Sequence, residues 1–96
     1  MDLKVNTPRG DLEYRLPDIS EGYDYLCFVE TIQTSSDVFK IKAKIIRNME
    51  NLLDFKKLGY ENYQEVLNDK ENMRDALSEI SKAIFDDVLE LLGKKI

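Results

Sequence analysis

Met73, Ala76, Leu77, Ile80, Ala83, Ile84, Val88, Leu91 and Leu92 recur at steps of three and four residues. At 100° per residue such steps fall on one stripe of an α-helix; on a strand they scatter over both faces. The spacing predicts a helix over 69–92. Asn68 followed by Glu71 offers a capping pair at its start. Gly93 offers the stop, and Lys94 and Lys95 suit the negative end of the helix dipole. A stripe of this length has to be covered, so the other segments must supply apolar faces of their own.

The segment SSDVFKIKAKII, 35–46, reads two ways. Phe39, Ile41, Ala43 and Ile45 alternate with Lys40, Lys42 and Lys44, as a half-buried strand would. On a helical wheel, Val38, Phe39, Ile41, Ile45, Ile46, Met49, Leu52 and Leu53 share an arc of about 160°. Lys40, Lys44, Arg47, Glu50, Asn51 and Asp54 lie opposite; Lys42 sits badly and Phe55 lies off the stripe. The helical pattern explains the longer run and predicts a helix over about 37–56, capped by Ser35 or Ser36 and stopped by Gly59. A short helix over about 61–67 follows, with Tyr60, Tyr63 and Leu67 on one side.

The N-terminal third has a different period. Leu3 and Val5, then Leu12, Tyr14 and Leu16, alternate with polar residues around TPRGD, which predicts a small hairpin over 2–16, with strands at about 2–7 and 11–16. A lone hairpin is marginal in water and must lie on something. Pro17 ends it, and DISE, with Asp18 three residues before Glu21, is a capping box for a helix over about 19–33. The β-formers of YDYLCFV leave a strand at 23–31 as an alternative. The expected fold class is therefore mainly α (α+β): one domain of 96 residues, a hairpin, three amphipathic helices and one short helix.

Much catalytic chemistry is missing from this chain. It has no His, which removes Ser–His and Cys–His pairs and the commonest base near neutral pH. One Cys cannot supply a thiolate zinc set, and the four glycines are isolated, so neither phosphate-binding glycine pattern occurs. NDKENMRD lacks the ligand ladder and glycine of a calcium loop and fits a helix N-terminus. Pairs such as Asp75 with Glu79, or Asp86 with Asp87, lie on the polar arc of the last helix. Cys27, with nothing basic beside it in YLCFV, reads as a small core residue. No catalytic, cofactor or metal residue is expected, and the chain reads as a non-enzyme.

Charge is segregated. Lys40, Lys44, Arg47, Lys56 and Lys57 make the second helix basic, while Glu71, Asp75, Glu79, Asp86 and Glu90 make the last acidic. The net charge of -5, with no aromatics interleaved among the lysines, argues against a nucleic-acid partner. The opening MDLKVNTPRG has neither a basic nor an apolar region of a signal peptide, and no run approaches the ~20 apolar residues of a membrane span. With a single Cys, a cytoplasmic protein without membrane contact is the expectation.

The first helix carries an apolar surplus. Ile19, Tyr23, Leu26 and Cys27 lie on one side; Tyr25, Phe28, Val29 and Ile32 lie on another. Such a helix is either the centre of the fold or faces a partner. If it faces a partner, the expected contact residues are Tyr25, Phe28 and Ile32, with Tyr60 and Tyr63 beside them.

The stretch RLPDISEGYDYL, a strand, a proline and then a helix carrying aromatics, resembles the small tail-assembly chaperones of tailed bacteriophages; KIIRNMENLLDF resembles their second helix in character. The resemblance implies a protein-binding assembly factor, active in the host cytoplasm, that covers the apolar helices of a tape-measure protein and helps recruit tube subunits. Self-association into a homo-oligomer is a further expectation. The competing readings are a small acidic inhibitor that blocks a nucleic-acid-binding or enzyme site, and a structural or regulatory subunit.

Overall fold

The structure is a computed structural model that describes residues 3–30 and 38–93. The chain is mainly α with a small antiparallel sheet. In order the elements are β1 (Leu3–Thr7), β2 (Gly10–Tyr14), α1 (Ile19–Glu30), α2 (Val38–Asn48), β3 (Leu53–Asp54), α3 (Tyr63–Asn68) and α4 (Lys70–Gly93).

The hairpin forms as its alternation requires. Thr7 pairs with Gly10 around a two-residue turn, and Leu3 with Tyr14 at the far end. Gly10 has φ of 122°, a conformation the missing Cβ permits. Thr7 Oγ1 closes the turn, donating to Gly10 O at 2.7 Å and accepting from Arg9 N. Val5, Thr7, Leu12 and Tyr14 face inward, and β1 lies on α4, so the hairpin rests on the chain's own helix.

The capping box at α1 is complete. Glu21 N donates to Asp18 Oδ1 at 2.8 Å, and Asp18 N donates to Glu21 Oε1 at 2.9 Å. Arg15 holds the same Glu21 carboxylate with both terminal nitrogens, at 2.8 and 3.2 Å. This ties the end of β2 to the start of α1 and keeps the Glu21 carboxyl below its usual range. Residues 23–30 are helical, which removes the strand alternative.

The second helix is shorter than the wheel predicts. α2 ends at Asn48, although the apolar stripe continues to Leu53. Met49 leaves the helix, Glu50–Leu52 makes a 3-10 turn, and Leu53–Asp54 becomes the third strand, pairing with Glu13 and Tyr14. Arg15 N donates to Leu52 O at 2.9 Å. The physical reason is the open edge of β2. A hairpin alone leaves that edge unpaired, and two residues of extended backbone satisfy it. Lys57 then bridges Glu13 and Asp54 at 2.5 and 3.3 Å. Met49, Leu52 and Leu53 are buried as the stripe implies, but by a turn and a strand. Phe55 lies off the helical stripe because the helix has already ended; it is buried against Tyr63, with ring centroids 6.0 Å apart.

Gly59, at φ of 95°, stops the later 3-10 turn Lys56–Leu58 rather than α2. The cap of α4 is Asp69, one residue beyond the expected Asn68: Asp69 Oδ1 accepts from Asn72 N and Nδ2. Along α4, Met73, Ala76, Leu77, Ile80, Ser81, Ile84 and Val88 are buried, and β1, α1, α2 and α3 all pack on this helix. The centre of the fold is therefore α4, and α1 is one of the elements packed around it.

Candidate partner-binding surfaces

Three of the five residues expected to face a partner are structural. Tyr25, Tyr60 and Tyr63 are 7%, 5% and 5% exposed. The last carbonyls of a helix have no partner within it. Tyr25 Oη donates to Asn48 O at 3.2 Å, and Tyr63 Oη donates to Ile46 O. Asn48 Nδ2 donates to Lys44 O at 2.8 Å. The two tyrosines thus terminate α2 from outside, and burial raises the phenol pKa of both above the ordinary value. Tyr60 Oη donates to Asp69 Oδ2 at 2.5 Å, while the Arg9 guanidinium lies 4.5 Å over its ring. Arg9 also donates to Leu58 O at 2.8 Å and sits 3.8 Å from Asp69. This joins the hairpin turn to the segment before α3 and to the junction between α3 and α4. The side chain of Phe28, and Ile32, lie outside the described residues.

Instead, α1 exposes its opposite side. Ile19 is 72% exposed and Tyr23 45%, and Cys27 is exposed rather than in the core. These three sit at i, i+4 and i+8, one line along the helix. Asp24, also exposed, lies beside them. The inner side is fixed by Tyr25, Leu26 and the buried Gly22, where an added Cβ would lie 2.7 Å from Leu91 Cδ1. The sequence wheel grouped Leu26 with Ile19, Tyr23 and Cys27 and set Tyr25 on another side; the fold buries Leu26 and Tyr25 together.

A second surface lies on the seam between α2 and α4. A groove of about 430 Å³ is lined by Ile41, Ile45 and Phe85, with Lys42, Asp75 and Glu79 among its polar neighbours. Lys42, the misfit of the wheel, crosses here: its ammonium donates to Ser78 Oγ while its stem covers apolar surface. The helical wheel places Phe39 in the apolar arc with Ile41 and Ile45. Phe39 is 79% exposed, at the edge of the arc, one turn before Lys42. Along the outer edge of α4, Glu71, Asp75, Glu79, Asp86 and Glu90 are all exposed, with Lys82 breaking the row.

Among the described residues no group of His, Cys, Asp or Glu is placed to hold a metal ion, and no helix is long and apolar enough to cross a membrane. Comparison with protein-family models, with curated proteins and with solved structures finds no match.

Proposed function

We propose that this chain is a non-enzymatic protein-binding assembly factor whose client-facing surface is the outer line of α1. The observation that carries the reading is the exposed row Ile19, Tyr23 and Cys27 on a helix whose other side is anchored to α4. An apolar line at i, i+4, i+8 matches the seam of a second amphipathic helix. Asp24 flanks it and favours a client helix with basic residues beside its apolar stripe. The resemblance to tail-assembly chaperones supplies the class of client, a long helical protein such as the tape-measure protein. The exposed acidic row on α4 favours a second reading, an acidic inhibitor; Lys82 within the row weighs against it.

The test uses a designed amphipathic Leu–Lys helical peptide, titrated against the isotopically labelled protein. Amide shifts confined to α1 around residues 19–27, abolished in Ile19→Asp with its melting temperature unchanged, support the reading. Absence of binding, or shifts unaffected by Ile19→Asp, overturns it.

A further inference from the structure

We infer that the seam between α2 and α4 is a self-association surface, and that its occupant is Phe39 from a second copy of this chain. Phe39 is the most exposed large apolar side chain among the described residues, at 79%. It lies one turn from Lys42, which lines the groove, so the ring protrudes beside the α2 rim of the groove. A knob at the rim of a hole can be mutually satisfied by a two-fold axis. Each copy then places its Phe39 in the other's groove, the isologous arrangement in which each contact occurs twice. The floor, Ile41, Ile45 and Phe85, is apolar and accepts a phenyl ring.

Charge selects the same partner. Every ionisable residue of α2 (Lys40, Lys42, Lys44 and Arg47) is basic. The α4 wall of the groove presents Asp75 and Glu79, with Glu71 one turn before Asp75. In the two-fold pairing the basic α2 of one copy approaches the acidic α4 edge of the other, and the reverse contact is made by symmetry. Lys82, on the same wall, is the charge that this arrangement must place away from the opposing α2. The surface is distinct from the outer line of α1, so the inference stands whether or not α1 takes a client.

The experiment is sedimentation equilibrium of the full chain from about 1 μM to about 1 mM. The expected result is a monomer–dimer equilibrium that weakens as salt is raised. Phe39→Asp should raise the dimer dissociation constant by about 30-fold or more, as for a central aromatic anchor. The double variant Asp75→Lys, Glu79→Lys should raise it about 10-fold. Both change exposed residues, and unchanged melting curves confirm folding. Ile19→Asp should dimerise like the parent, and Phe39→Asp should still bind the Leu–Lys peptide, which separates this surface from the proposed client site. A monomer across the whole range overturns the inference. So does dimerisation that Phe39→Asp leaves intact, or that Ile19→Asp abolishes.

Discussion

Gly22 and Leu91 decide whether α1 is docked as described, and a double-mutant cycle can measure it. Replacing a helix-interior Gly with Ala normally stabilises by about 1 kcal/mol, because Gly loses the most backbone freedom on folding. Here the added Cβ would stand 2.7 Å from Leu91 Cδ1, closer than carbon atoms approach. Relief requires the end of the half-buried Leu91 side chain to swing, which costs about 1 kcal/mol, the low end for an overpacked site. Gly22→Ala should therefore be close to neutral, the second effect offsetting the first. In a Leu91→Ala background the obstructing carbon is gone. The same substitution should then stabilise by the full ~1 kcal/mol. The coupling energy, at least about 1 kcal/mol, is read from urea denaturation of the four proteins with a common m-value. If Gly22→Ala stabilises by ~1 kcal/mol with Leu91 in place, Leu91 does not obstruct a Cβ at this point and the reasoning fails.

Two further outcomes follow from the polar contacts. The Glu21 carboxyl is held low first by Arg15 and then by the Asp18 backbone N–H. Its contribution to stability is complete above pH about 4.5, the ordinary Glu value. It is lost as the pH falls through the lower folded value. Glu21→Gln should therefore flatten the acid side of the thermal-melting profile against pH, and an unchanged profile would show that the pairing is absent in solution. Arg9→Ala should cost about 1–2 kcal/mol, from the stacking on Tyr60 and the bond to Leu58 O. Arg9→Lys should recover little of this, since an ammonium cannot hold the carbonyl and cover the ring with one planar group. Full recovery by Lys in chemical denaturation would sink that account.

The sequence by itself determined the elements whose signals are local. The DISE capping box forms bond for bond, the alternation around TPRGD makes the hairpin, and the stripe from Met73 to Val88 is the buried face of α4. In the first two the partners are a few residues apart, so spacing specifies the contact; in the third a helical period marks the buried face whatever covers it. Tertiary structure decided what depends on distant neighbours. Of the stripe that runs to Leu53, Ile41, Ile45, Met49, Leu52 and Leu53 are buried, Ile46 is half-buried and Phe39 is exposed. The stripe could not show that the unpaired edge of β2 would claim Leu53 and Asp54 as a strand and end α2 at Asn48. Periodicity records burial and is silent about which backbone groups still need a hydrogen bond.

The same limit governed the candidate site. Tyr25 and Tyr63 have the composition of interface anchors, but their hydroxyls are used on the carbonyls of α2, 23 and 17 residues away along the chain. An aromatic residue serves equally well to fill a core, to terminate a helix or to anchor a partner, and only the location of the nearest unsatisfied carbonyl distinguishes these uses. On α1 the wheel resolved two apolar sides. The absence of a Cβ at Gly22 lets α4 come close between them, burying Leu26 from one and Tyr25 from the other and leaving Ile19, Tyr23 and Cys27 facing outward. Sequence pattern set how much apolar surface this chain carries; the packing of α1 and α2 against α4 chose which part of it stays exposed, because a helix can bury only the side its neighbour reaches.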